Sequence, residues 1–379
     1  LFPTRFALVG PSAGWSSFYS YTGRARPGGP FARSQASSDT NVYLSNLAQR
    51  SVYIIHGDAD DNVPVREGRD MYFEAGQITG DITYHEQPGA GHWWNVSDDP
   101  GADCVNWPPM FDIMRERRLD PFETDFDFRT PSPQVSPTHA FVTLRSQHDP
   151  WFDSRVTSIR EGEDTVRLTT ENVRSLTLNG PGLLYKGIRQ VIVDDEAPIT
   201  VTAERIPVGP QEGKRPGVHG PFNEVMSRPF CFIYAPDGSS VYPEYAAYLA
   251  SNWSAIGNGH TCALPITELT DTVRQRHNLI YLGIPQAQLD HNGPFDWDSE
   301  AITVGDNVFT DTALAMVFPE GDRLSAIMTA TTGSERLLFT IQPFTSSFAL
   351  PDFFLWSAEG GLAGGFFTPD WNGIAPPPE

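Results

Sequence analysis

Three short stretches of the chain carry side chains that could act on one another. The first is Gly10-Pro11-Ser12-Ala13-Gly14, a serine between glycines after the apolar run FALVG. The second runs from His56 through Gly57, Asp58, Asp60, Asp61 and Asn62 to Val63-Pro64, and it closes the apolar run SVYII. The third is Gly89-Ala90-Gly91-His92. Together they offer a hydroxyl, a carboxylate and an imidazole. A serine hydroxyl is a weak nucleophile until an imidazole takes its proton. The imidazole in turn needs a carboxylate to fix its tautomer and stabilise the imidazolium that forms. The chemistry implied is acyl transfer through a covalent serine ester. Asp58 and Asp61 compete with Asp60 for the acid role. Asp58, Asp60 and Asn62 also copy the opening of a calcium loop, but the sixth position is not glycine and the twelfth is Arg69 rather than glutamate. His56, at a strand end, and His85, inside the following strand, read as structural positions.

Such groups must be held by regular elements. Residues 1–122 alternate strand and helix: FALVG, the helix TNVYLSNLAQ, the strand SVYIIHG, the helix VREGRDMYFEAGQ, the strand DITYHEQ and the closing helix WPPMFDIMRERRL. Chemistry-bearing residues just past strand ends indicate a parallel α/β sheet. Residues 123–215 are rich in β-formers between turn residues and read as a β-sandwich of antiparallel strands, with RTPSPQVSP as its joint to the first domain. Residues 216–379 return to mixed patterning and read as a second, smaller α/β domain, with a Phe/Gly/Pro-rich tail from about 346 lying back on it.

A strand ending in H-G-x-x-D-x-x-V-P, followed by a helix, a strand and G-x-G-H, resembles the acid and histidine segments of the prolyl oligopeptidase-like α/β-hydrolases. The resemblance covers about the first 120 residues. It implies Asp60 as the triad acid, His92 as the base, and a peptide or ester substrate. The order acid-then-histidine is that of the α/β-hydrolase fold. Ser12 fits this frame poorly. The family sets a helix, a strand and a helix between its G-x-S-x-G elbow and the acid, whereas the 48 residues from Ser12 to Asp60 hold no second strand. FALVG, entered through LFPTRFA, therefore matches the strand after the elbow strand. The expectation is the C-terminal part of an α/β-hydrolase sheet, inactive by itself, with the nucleophile upstream of Leu1. An apolar surface should then be open around Phe6, Leu8, Tyr53 and Ile55. The alternatives are a hydrolase with Ser12 as nucleophile, or a non-catalytic binding or structural module.

The remaining composition sets bounds. With 379 residues, 39% hydrophobic and 19% charged, the chain is long enough for two or three folded domains. A net charge of −21 argues against nucleic acid or an acidic membrane surface as partner. No apolar run reaches the roughly 18 residues of a membrane span. Cys104, Cys231 and Cys262 allow one bridge with one thiol left over, and their spacing fits no zinc motif. No cofactor or metal is expected. Outside the first domain, His219 in H-G-P-F and the acidic segment 288–300 are the candidate sites. Trp151, Trp253 and Trp297 read as core or interface residues. Asn95 and Asn252 open glycosylation-type N-x-S patterns. Charge and resemblance lean towards an extracytoplasmic bacterial protein.

Overall fold

The computed structural model describes residues 1–98, 100–237, 239–291, 293–342, 344 and 349–378. The chain divides into two compact units: Leu1–Arg26, Ala36–Arg145 and Asp153–Pro210 form one, and Pro27–Gln35, Ser146–Phe152 and Gln211–Glu379 form the other. Its mixed α/β content is spread over several sheets.

The first unit opens with a three-stranded parallel sheet of order β1 (Leu8–Val9), β2 (Ser51–Gly57), β3 (Ile82–Gln87). Strand β2 is buried at every position, as expected for a central strand covered on both faces. A short helix α1 (Phe18–Thr22) follows β1, and its N-cap Ser17 accepts the Tyr19 N–H. The next helix, α2 (Gly29–Gln35), clusters with the second unit. The segment read as helix TNVYLSNLAQ forms a 3₁₀ helix, Thr40–Leu47, capped by the Asp39 carboxylate. Helix α3 (Arg66–Gly76) links β2 to β3, and α4 (Pro108–Glu116) closes the layer with proline in its first turn.

The open apolar surface expected here needs correcting. Ile55 is fully buried, and Leu8 and Tyr53 are buried with it. They pack with Ala90, Trp94, Cys104 and Met110, the last on α4. The Trp107 indole also donates to the Tyr53 hydroxyl at 3.0 Å. Because β2 has no polar face, its pattern gave no hint of this cover. Of the four residues only Phe6 is exposed, at 54%, as expected, and Leu1, Phe2 and Trp15 are exposed as well. A groove of about 550 Å³ runs beside β1, lined by Phe6, Val9, Pro11, Trp15, Leu44 and Met71 among others. Among the described residues β1 pairs only with β2, so its outer edge is open.

Nine further strands of this unit form two sheets around one core. The first has order β11 (Ile199–Thr200), β10 (Gln190–Val193), β8 (Thr165–Glu171), β7 (Ser154–Glu161), β4 (Phe126–Thr130). The second has order β12 (Arg205–Val208), β9 (Ser175–Asn179), β6 (Val142–Ser146), β5 (Thr138–His139). Helix α5 (Gly180–Tyr185) follows β9. Phe128, Val156 and Leu168 from one sheet meet Leu144 and Leu178 from the other in the core. The strands are not all antiparallel as expected: β10 runs parallel to β8. The proline-rich segment lies between β4 and β5. At its start the Arg129 N–H donates to Asn46 Oδ1 at 2.8 Å, and Asn46 Nδ2 donates to the Arg129 carbonyl at 2.9 Å. Nearby, the buried Arg50 guanidinium lies 2.6 Å from Glu123, whose Oε1 is 2.7 Å from His139 Nε2 on β5.

The second unit is built on a seven-stranded sheet, larger than the three-stranded sheet of the first. Its order is β14 (Cys262–Pro265), β13 (Phe230–Tyr234), β15 (Asn278–Leu282), β20 (Arg323–Ala330), β19 (Ala313–Glu320), β21 (Phe353–Ser357), β22 (Gly360–Gly365). The first four run parallel, and the rest add antiparallel. Helices α6 (Val241–Gly257) and α7 (Asp271–Arg276) fill the crossovers. A small antiparallel sheet, β16 (Phe295–Trp297), β17 (Ile302–Val304) and β18 (Asn307–Phe309), follows β15. The tail does not merely lie on the domain: Phe353–Gly365 supplies two strands of the sheet, while residues 345–348 are outside the described set. Helix α2 is stitched to this unit by Ser34 Oγ donating to the Ala349 carbonyl at 2.7 Å and by Phe31 standing edge-on to Phe354. Trp297 is buried, and Trp253 stands edge-on to Phe230.

Cys231 and Cys262 face each other across β13 and β14 and form a disulfide, leaving Cys104 as a buried free thiol. A link across 31 residues removes loop entropy from the unfolded chain worth about 3–4 kcal/mol. Reduction, or Cys231→Ser, is expected to destabilise the second unit by about that amount. Urea denaturation with and without reductant measures it.

Candidate active site

The carboxyl ends of β2 and β3 bring the two motif segments together. Gly57, the last residue of β2, has no room for a side chain: a Cβ there would stand 2.3 Å from the Ala90 carbonyl oxygen and 2.4 Å from that of Gly91. Glycine thus lets the end of β2 touch the G-A-G-H turn directly. The turn is pinned further by the Gly89 N–H, which donates to Asp58 Oδ1 at 2.6 Å. Asp58 is thus engaged by the turn backbone, and Asp61 is exposed.

Asp60 is the carboxylate that reaches the imidazole. Its Oδ2 lies 2.9 Å from His92 Nδ1. Its Oδ1 accepts the N–H groups of Asn62 and Val63, both at 2.8 Å. The Asp60 side chain is fully buried, whereas that of His92 is about one-fifth exposed. Burial pushes the Asp60 pKa up, but the Val63, His92 and Asn62 hydrogen bonds together outweigh it and hold the carboxyl below its ordinary range. His56 completes the cluster. Its Nε2 is 3.3 Å from Asp60 Oδ2 and 2.9 Å from the Val63 carbonyl. It backs the acid loop and is wholly buried there, in keeping with a structural position. His85 stacks on Trp107 at 4.3 Å and stays away from the pair.

Ser12 is placed elsewhere. It continues β1 as a bridge beside Ile55, and its hydroxyl donates to the Cys104 carbonyl. No hydrogen bond joins it to His92. Nothing in the local pattern around Ser12 marks this carbonyl contact. Nor does the sequence mark Glu67, a buried residue in the first turn of α3. Glu67 Oε2 accepts the Ser16 N–H at 3.2 Å, Ser16 Oγ at 3.3 Å and Ser20 Oγ at 2.6 Å, fastening the segment after β1 to α3. No local pattern announces a carboxylate used that way.

The arrangement has a defined chemical capacity. With Nδ1 held by Asp60, His92 Nε2 is the ring atom left to exchange a proton with a hydroxyl. Among the described residues no hydroxyl is hydrogen-bonded to that nitrogen.

In the second unit His219 is buried, with Nδ1 3.0 Å from the Gly220 carbonyl. Burial, then the nearby Lys214 charge, pushes its pKa down to about 3. Glu224, which accepts the His219 N–H at 2.9 Å, is pushed up to about 8 by burial. Lys214 is ion-paired with buried Asp352. These groups form a polar knot inside the unit, closed to solvent.

No protein-family model matches the chain. A curated relative from Arthroderma benhamiae, described as an uncharacterized secreted protein, is 28% identical over 195 residues, covering 47% of this chain and 20% of the relative. The match thus spans about a fifth of that relative's length. Among solved structures, a PHB depolymerase complexed with R3HB trimer aligns over 31% of this chain and 40% of its own, at 13% identity and a TM-score of 0.16. Among the described residues no helix is long and apolar enough to cross a membrane.

Proposed function

We propose that the chain carries the acid and base of a serine hydrolase of the prolyl oligopeptidase-like group, acting on a peptide or ester. The observation that carries this reading is the 2.9 Å contact between buried Asp60 and His92 at the ends of adjacent parallel strands. In this reading His92 Nε2 takes the proton of a serine hydroxyl as the oxygen bonds the acyl carbon. It then returns that proton to the leaving amine or alcohol as the scissile bond breaks. Water repeats the cycle: its proton goes to His92, its oxygen to the acyl carbon, and the freed serine takes the proton back. Asp60 holds the tautomer throughout.

The nucleophile is supplied by a segment outside Leu1–Glu379 that adds a strand to the outer edge of β1. Three observations support this. That edge is open, an apolar groove lies along it, and the Ser12 hydroxyl is already engaged by the Cys104 carbonyl. The protein acts outside the cytoplasm, in keeping with its disulfide and with the name of the fungal relative.

A fluorophosphonate probe tests the assignment. The chain Leu1–Glu379 alone should remain unlabelled. The product of the same gene with its upstream sequence should label at a G-x-S-x-G serine. Labelling of the shorter chain that disappears in Ser12→Ala would transfer the role to Ser12, and an unlabelled longer product would end the hydrolase reading.

A further inference from the structure

Two imidazoles, not one, meet the buried Asp60 carboxylate. His92 Nδ1 lies 2.9 Å from Oδ2, and His56 Nε2 lies 3.3 Å from the same oxygen. Oδ1 is taken up by the Asn62 and Val63 N–H groups. His56 Nε2 is also 2.9 Å from the Val63 carbonyl. Both neighbours of that nitrogen are acceptors, so it carries the ring hydrogen and offers it to the two of them. The other nitrogen faces α3. A Cβ on Gly68 would stand 2.7 Å from His56 Nδ1, so glycine is what lets the helix lie this close to the ring. Nδ1 is buried there with no hydrogen-bond partner. A buried polar atom left without a partner is a cost that an apolar side chain of similar size avoids. Packing alone therefore does not account for an imidazole at this position, whereas the Nε2 contacts do. The residue opposite His56 on β3 is Glu86, and its carboxylate is engaged by Arg69 and Tyr84.

We propose that His56 is a positioning residue for the acid. Its Nε2–H ties the Val63 carbonyl and Asp60 Oδ2 to the end of β2, so that this oxygen stays in line with His92 Nδ1. Which nitrogen of an imidazole carries the hydrogen is set by the hydrogen bond that the ring makes. A fixed Oδ2 therefore keeps the His92 hydrogen on Nδ1 and leaves Nε2 as the atom that exchanges a proton. His56 acts through Asp60 and does not touch the substrate. The catalytic meaning of this arrangement rests on the hydrolase reading, while its effect on the His92 ring does not.

Nitrogen-15 NMR of labelled histidines in the chain Leu1–Glu379 reads the His92 tautomer directly. Wild type should carry the hydrogen on Nδ1. His56→Leu fills the space without a donor and should lower the Nδ1–H fraction by about half. His56→Gln, whose amide N–H reaches the place of Nε2, should restore it. His56→Asn, whose amide reaches only the place of Nδ1, should not. A packing role alone predicts the opposite order, with Leu tolerated and Gln not. Where His56→Leu does not fold, as read by its urea midpoint, the Gln and Asn variants decide. An unchanged His92 tautomer in folded His56→Leu, or Gln no better than Asn, would overturn the proposal. In the longer gene product, His56→Leu should lower kcat for an activated ester about tenfold or more with KM little changed, and His56→Gln should recover it. A longer product that the fluorophosphonate does not label ends the hydrolase reading, and the NMR series still decides what His56 does to His92.

Discussion

Replacing Asp60 by asparagine is expected to lower kcat/KM for an activated ester about 10⁴-fold in a protein that carries the whole triad. The side chain keeps its size, and the Asn62 and Val63 N–H groups keep an oxygen to bond. What changes is the face turned to His92: an amide nitrogen there cannot accept from Nδ1–H, so the ring is driven to the wrong tautomer and its imidazolium loses its counter-charge. His92→Ala should cost at least as much, because it removes the proton carrier itself. Asp58→Asn and Asp61→Asn are the controls. Asp61 is exposed and should be silent, while Asp58 should act only through the turn held by the Gly89 N–H. Ester hydrolysis across the four variants reads the outcome. An active Asp60→Asn beside an inactive Asp58→Asn would move the acid role to Asp58.

The second large effect concerns stability. Glu123→Ala is expected to cost about 3–5 kcal/mol, because it strands the Arg50 charge, whose side chain is only 4% exposed, with its ionic partner gone. His139 would lose its neighbour at the same time. Burial raises the Glu123 pKa, but hydrogen bonds from His139 and Arg50 more than reverse this and leave it lowered. A lowered folded pKa fixes the sign. The contribution is whole above the unfolded value of about 4.3 and is lost as the pH falls through the folded value. Urea midpoints between pH 7 and pH 3 should show wild type converging on Glu123→Ala at the acid end. A constant gap between the two would exclude Glu123 as the titrating group.

Much of the candidate site is legible in the sequence because it rests on local chain geometry. Gly57 must lack a side chain, the Asp60 carboxylate caps its own loop two and three residues on, and His92 closes a turn after a strand. Each constraint lies within a few residues, so each leaves a motif. The sandwich is legible for the same reason: Phe126, Phe128 and Thr130 alternate with outward residues. The cover over Tyr53 and Ile55 is not legible, because β2 is apolar at positions facing either way and the residues that pack on it come from 90–110. The parallel pairing of β10 with β8 is also invisible, since alternation fixes a strand's face but not its direction.

The membership of helix α2 has a consequence for how the protein is made. Residues 27–35 leave the ribosome well ahead of their partners, which include Ala349, bonded to Ser34 across 315 positions. The second unit therefore cannot finish folding until Ala349 has been synthesised, and such long-range closure is slow. No single cut yields two independent halves. A clone ending at residue 210 would express α2 without its partners, and one starting at 211 would lack the helix, so an attempt to study either unit alone should begin by grafting 27–35 back.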